Sequence, residues 1–229
     1  MQHVLVTGAA GAIGGAIAAA LDHPHAYFSL VDVAPIAPRP RASVYRWDLA
    51  KPDELDARWS EVTRAHGDVD VLVNCAGIMD VRSIAGMPWD AGRRVIDIDF
   101  VAPMKLMALA VPSMVAARRG VIINVSSMAG RVPLRGCAYY GGAKAGLAMA
   151  SEIAHLELAP RGVKVVTVYP GPVASQLERG ARAQLKPSRI AKLMPTGRAE
   201  VIAHAIARAI DRGEPRVVYP ALYAAADRA

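Results

Sequence analysis

The chain has 229 residues, the size of one domain with a sizeable core. It is 53% hydrophobic and 21% charged, which excludes a disordered or fibrous protein, and with three Trp and two Phe its core is expected to be aliphatic. The formal charge of +7 is spread along the chain. Arg93-Arg94 and Arg118-Arg119 are the only basic doublets, so solvated helix faces explain the charge better than a nucleic-acid partner.

Cys75 and Cys137 are too few and too unpatterned for a disulfide framework or a metal site, and a reducing cytoplasm is the expected setting. No Lys or Arg precedes the apolar segment Ala9 to Leu21, which argues against a signal peptide. Lys105 interrupts the longest stretch resembling a membrane span, so no membrane partner is expected.

Short apolar runs alternate with helical patterns. Val4 to Val6, Tyr27 to Val31, Val69 to Val73, Val121 to Val125, Val163 to Val168 and Val217 to Tyr219 read as buried strands, being β-rich and continuous rather than alternating. Gly14 to Leu21, Pro52 to Ala65, Trp89 to Arg118, Tyr139 to Leu158 and Ala199 to Asp211 read as helices. The last gathers Val201, Ile202, Ala205, Ile206, Ala209 and Ile210 on one face, with Gly213 placed to end it. This order predicts an α/β fold: a single Rossmann-like, doubly wound domain over 1–229, its sheet mostly or wholly parallel, with helices on both faces. Val173 to Gly197 is the one long irregular stretch, read either as a surface excursion or as a loop covering a site.

The stretch TGAAGAIGG, Thr7 to Gly15, joins the first strand to the first helix. Gly8, Gly11 and Gly14 suit the tight turn, the close approach of a pyrophosphate and the helix contact of a dinucleotide site; small residues at this spacing also let helices pack closely. Asp32, 18 residues after Gly14, ends the second strand where a carboxylate would take the ribose hydroxyls of an adenosine. Its charge would repel the extra phosphate of NADP, which favours NAD. Arg39 and Arg41 folding back would favour NADP instead.

Tyr140 and Lys144 stand four residues apart, on one face of a helix. A phenol serves as a base near neutrality only if its pKa of about 10 falls by about 3 pH units, worth about 4 kcal/mol, which a neighbouring ammonium helps to supply. Ser127, 13 residues before Tyr140, follows a strand end, where such sheets present ligand-facing groups. Ser126 competes for the role, but alternation should turn it away.

These motifs together resemble the short-chain dehydrogenase/reductase family, in its compact single-domain branch, over almost the whole chain. Thr7 and Gly8 with Gly11, Ala12, Ile13 and Gly14 resemble its cofactor loop. Asp48 and Leu49 stand where the family places an adenine contact, and Asn74-Cys75-Ala76-Gly77 resembles its Asn-Asn-Ala-Gly turn. Pro170-Gly171-Pro172-Val173, with Ser175, resembles the segment that meets the nicotinamide carboxamide. The resemblance implies hydride transfer between NAD(H) and a small alcohol or carbonyl compound. Tyr140 would be the acid/base, Lys144 would bind the nicotinamide ribose, Ser127 would orient the oxygen, and residues 173–197 would cover the substrate. It also implies a homodimer or homotetramer formed through Trp89 to Arg118 and Tyr139 to Leu158.

Three positions depart from the pattern. Ala12 stands where the compact branch has Gly, Cys75 where it has Asn, and Asp99 where its fourth catalytic residue is Asn. In the family that residue's main-chain carbonyl holds a relay water, and Pro103, which has no N–H, is expected to leave the Asp99 carbonyl free for it. The Asp99 side chain is expected either to pair with Lys144 or simply to cap or bend the helix. The alternatives carried forward are an NADP-dependent ketoacyl, sugar-nucleotide or carbonyl reductase, and a catalytically weak nucleotide-binding protein.

Overall fold

The computed structural model describes residues 1–184 and 196–220. Seven strands form one sheet: β1 (Gln2–Thr7), β2 (Ala26–Asp32), β3 (Ala42–Arg46), β4 (Val71–Asn74), β5 (Gly120–Val125), β6 (Val163–Pro170) and β7 (Arg216–Tyr219). Their order is β3-β2-β1-β4-β5-β6-β7, and every neighbouring pair is parallel. The connecting helices are α1 (Ala12–Ala20), α2 (Leu55–His66), α3 (Trp89–Ile96), α4 (Ala102–Ala116), α5 (Ala138–Leu158), α6 (Gln176–Gln184) and α7 (Ala199–Arg212).

Strand alternation sorts the apolar residues into two cores. On one face Val4, Val6, Phe28 and Leu30 meet Ile17 and Ala18 of α1 and Ile202, Ile206 and Ala209 of α7. On the other, Leu5, Val31 and Leu72 meet Trp59 and Val62 of α2 and Leu106, Met107 and Met114 of α4. Ile17, Ile202, Leu72 and Leu106 are fully buried, and removing each such side chain from water contributes about 1.5–3 kcal/mol. Gly213 ends α7 in the left-handed conformation, φ 69°, as its position suggested.

Three details correct the sequence reading. β3 was missed because it is an edge strand, half exposed along its length, with Val44 44% exposed, Arg41 before it and Arg46 as its last residue. Val173 to Gly197 is not wholly irregular: α6 begins just after Ser175, whose Oγ accepts the Glu178 N–H at 3.1 Å. That helix is mainly polar and carries no apolar stripe for a periodicity argument to find; residues 185–195 of the stretch lie outside the described residues. Trp89 to Arg118 is interrupted by a π-helical turn, Asp97–Val101, in which the Ala102 N–H reaches the Asp97 carbonyl five residues back. By length and composition the run Trp89–Ala116 could cross a membrane, but here Leu106, Met107, Ala110 and Met114 face the protein core.

The end of the sheet beside β7 carries a clasp. Val173 and Gly197 pair as an isolated parallel bridge, with Gly197 N–H to Pro172 O at 2.8 Å and Ala174 N–H to Gly197 O at 3.0 Å. Tyr219 closes it, accepting the Gly171 N–H on its carbonyl at 2.7 Å and the Arg198 N–H on its hydroxyl at 3.2 Å.

Candidate active site

β1 lies between β2 and β4, so the chain's path across the sheet reverses there and leaves a crevice at the strands' C-terminal ends. The glycine turn fills one wall of it. Gly8 has φ 70°, and a Cβ on it would lie 2.7 Å from the Ala76 backbone; one on Gly14 would lie 2.2 Å from the Gly8 carbonyl oxygen. Gly11 precedes α1 as its N-cap, Ala12 is the first helical residue, and Ile13 packs on the core beneath. This backbone-lined cradle, open at a helix N-terminus, fits the pyrophosphate of a dinucleotide. Asp32 sits against the turn, its Oδ2 accepting the Ala10 N–H and its Oδ1 the Ala34 N–H, both at 3.0 Å.

Thr7 joins this wall to the next. Its Oγ1 accepts the N–H groups of Cys75 and Ala76 at 3.1 and 3.2 Å and donates to the Val73 carbonyl at 3.2 Å. Sequence reasoning gave Thr7 no such task, because its partners lie 66–69 residues away. Gly77 then passes so close to the Asp99 and Lys144 side chains that a Cβ there would lie 2.4 Å from Asp99 Oδ1 and 3.3 Å from Lys144 Nζ.

Not every sequence-predicted cofactor residue turns a side chain to the crevice. The Asn74 side chain, 2% exposed, enters the sheet, where its Nδ2 donates to Asn124 Oδ1 at 2.8 Å; Asn124 Nδ2 donates to Ser151 Oγ at 2.8 Å. Leu49 packs into the core, and Asp48 accepts from the Ala50 N–H at 3.1 Å and pairs with Arg94 at 3.2 Å. Ser175 Oγ caps α6, while Pro170, Gly171 and Val173 lie in or beside the clasp.

The four residues proposed for chemistry do come together. Ser127 follows β5, its Oγ accepting the Ala129 N–H at 3.1 Å and lying near enough to the Tyr140 phenol to lower its pKa. Ser126 turns the other way, donating to the Lys144 carbonyl at 2.7 Å. Gly130 lets the turn after Ser127 lie against α5, for a Cβ there would be 2.7 Å from the Ala145 nitrogen. That contact holds the serine near Tyr140.

Lys144, 3% exposed, donates to the Val125 carbonyl at 3.0 Å and lies 3.2 Å from Asp99 Oδ1, with its Nζ 5.9 Å from the Tyr140 ring centre. Asp99 is fully buried and also accepts the Ile78 N–H, at 3.2 Å on Oδ1 and 3.3 Å on Oδ2. Of the two fates expected for its side chain, the structure has the pairing with Lys144. Burial raises the Asp99 carboxyl to about 6, although Lys144 pulls it down. Burial also holds the Tyr140 phenol above its ordinary value; Lys144 and Ser127 lower it, and Asp99 raises it further. For Lys144 burial works downward, but Asp99 and Tyr140 outweigh it and hold the ammonium above its ordinary value.

A buried phenol and a half-buried serine hydroxyl beside a lysine, adjoining a dinucleotide-shaped crevice, can exchange a proton with a bound alcohol or carbonyl oxygen. The chain matches the family model for short chain dehydrogenases over residues 2–186. It is 34% identical over 216 residues to a cis-4-hydroxycyclohexanecarboxylate dehydrogenase of Sinomonas cyclohexanicum, covering 89% of this chain and 86% of the relative. A 4-hydroxyisoleucine dehydrogenase solved with NADH superposes with a TM-score of 0.85 at 18% identity, over 95% of this chain and 96% of that one. A short-chain dehydrogenase from Sphingobium yanoikuyae solved with NADPH gives 0.82 at 24% identity, over 98% and 90%.

Proposed function

Since the chain belongs to the short-chain dehydrogenase family and is thus an oxidoreductase, we propose that it works on NAD(H) and a small alcohol or carbonyl substrate, with Tyr140 as the acid/base. The observation that carries this reading is the gathering of buried Tyr140 and Lys144, with Nζ 5.9 Å from the phenol ring centre, beside Ser127 and next to the glycine cradle. When bound, the nicotinamide supplies or takes up the hydride. The chain's own residues do the rest: Ser127 Oγ orients the substrate oxygen, Tyr140 Oη gives or takes its proton, and Lys144 supplies positive charge beside the phenol. Asp99 counts among the four through Lys144 rather than through the substrate. Backbone at Gly8, Gly11, Ala12, Ala76 and Gly77, with the Asp32 carboxylate, would hold the dinucleotide.

Two features support NAD over NADP. The Asp32 carboxylate stands at the turn, and Arg39 and Arg41, the side chains offered to a phosphate by the sequence, are both on Asp22 at 3.1 and 2.8 Å. Arg39 also lies over the Phe28 ring, 4.5 Å from its centre. Fluorescence titration with NADH and NADPH tests the assignment, with NADH expected to bind more tightly; the reverse order would return it to NADP. Replacing Tyr140 by Phe is expected to lower turnover by about 10²–10⁴-fold while leaving NADH binding in place. Unchanged turnover would leave the second reading, a nucleotide-binding protein of weak activity, which the Asp99–Lys144 pair favours.

The proposal includes one catalytic domain and a homo-oligomer formed through α3, α4 and α5. Supporting the latter, Met149, Ile153 and Leu156 are 57%, 47% and 74% exposed at helical spacing on α5.

A further inference from the structure

Lys144 is surrounded by acceptors and buried, so its charge is spent on named partners rather than on solvent. Its Nζ touches the Val125 carbonyl at 3.0 Å and Asp99 Oδ1 at 3.2 Å, and both the lysine and Asp99 are closed from water. The other titratable groups that bear on this cluster are Tyr140 and Cys137 from α5 and the residue before it, and Cys75 after β4. Burial holds both thiols protonated, Cys75 with a pKa of about 12, so neither adds charge near neutrality. Arg93 and Asp97, on the helix turn leading to Asp99, pair with each other at 2.8 Å. Lys144 and Asp99 are therefore the charges that face the Tyr140 phenol among the described residues, and they are opposite and adjacent.

We infer that Asp99 is a positioning residue whose carboxylate neutralises Lys144 and so holds Tyr140 protonated across the neutral range. The inference rests on the function proposed above only for its consequence. With the phenol protonated, proton donation to a carbonyl oxygen keeps its competent form up to alkaline pH. Proton removal from an alcohol needs the phenolate and begins only there. A neutral side chain at 99 would leave Lys144 as an unopposed buried cation beside the phenol and lower its ionisation. Gly77 belongs to the device, because any side chain there would enter the space between Asp99 Oδ1 and Lys144 Nζ.

Asp99→Asn isolates the charge. An amide oxygen in the place of Oδ1, 3.2 Å from both Lys144 Nζ and the Ile78 nitrogen, keeps those two contacts, and only the 3.3 Å contact of Oδ2 with the Ile78 N–H is lost with the charge. The readout needs no cofactor: tyrosinate absorbance is followed against pH in the free protein, and the Tyr140→Phe spectrum in each background is subtracted to isolate one of the seven tyrosines. The Tyr140 midpoint is expected to fall by about one pH unit or more in Asp99→Asn, and the acid limb of alcohol oxidation to move with it. A midpoint that stays or rises overturns the inference. Asp99→Ser is titrated in its place should the Asn variant not fold. The outcomes separate cleanly: an unmoved midpoint with a dead Tyr140→Phe enzyme removes only the role of Asp99, whereas an active Tyr140→Phe enzyme removes the proposed mechanism.

Discussion

Replacing Thr7 by Val would keep the side chain's shape and remove the oxygen that holds the Cys75 and Ala76 N–H groups. Two amides beside the crevice would lose their partner, and stability is expected to fall by about 1–3 kcal/mol, seen as a lower denaturation midpoint at unchanged slope. That Ser127, Tyr140 and Lys144 would come together was legible in the sequence, from four residues along a helix, the end of a strand and the family resemblance. Thr7 was not, nor was the Asn74–Asn124–Ser151 chain, because those hydrogen bonds join residues that only the folded sheet brings together. Asp99 was conspicuous as a departure, but nothing in its neighbours along the chain could decide between an ion pair and a helix cap.

At the scale of elements, α1 and α5 respond to added methyl groups in opposite ways. Gly14→Ala would drive a Cβ to 2.2 Å from a backbone oxygen, so α1 must move off the glycine turn; a loss of about 1–3 kcal/mol and weaker NADH binding are expected by thermal melting and titration. Gly142 is exposed within α5 with no atom within 4 Å of an added Cβ, and Gly142→Ala is expected to raise stability by about 0.5–1 kcal/mol in the same melts. Elements buried on at least one face announced themselves through continuous apolar runs or helical periodicity. β3 and α6 did not, since an edge strand and a surface helix bury too little to need an apolar pattern. The π turn was equally hidden: Pro103 marked an irregularity, but the place where the helix widened depends on packing against α5.

For the whole molecule, two buried groups give acid stability opposing slopes. Burial lowers the His3 pKa below 6.5, so the unfolded chain binds the proton more readily; stability present above 6.5 is lost as pH falls through the folded value. Asp99 has its folded value raised from 3.8 to about 6, so its contribution is fully present below 3.8 and lost as pH rises through 6. His3→Gln is therefore expected to flatten the fall in stability below pH 6.5, and Asp99→Asn to steepen it, in denaturant titrations at stepped pH. Assembly has its own test: Leu156→Glu places a charge on the exposed stripe of α5, and light scattering after gel filtration should show smaller particles than the parent chain gives. The parallel order of the sheet was foreseeable from alternating strands and helices, while its width was not, because the seventh strand was the unpatterned β3.

The clasp of Val173, Gly197 and Tyr219 ties two points of the chain, 24 residues apart in number, to one place beside the sheet. α6 leaves from this closed base, so its composition can change while β6, α7 and β7 keep their register. Lengthening a loop already closed in this way adds only a logarithmic entropy, about 0.6 kcal/mol for each doubling. Exchange of α6 as a unit is thus expected to leave the strands on either side undisturbed, and Ser127, Tyr140 and Lys144 lie outside it.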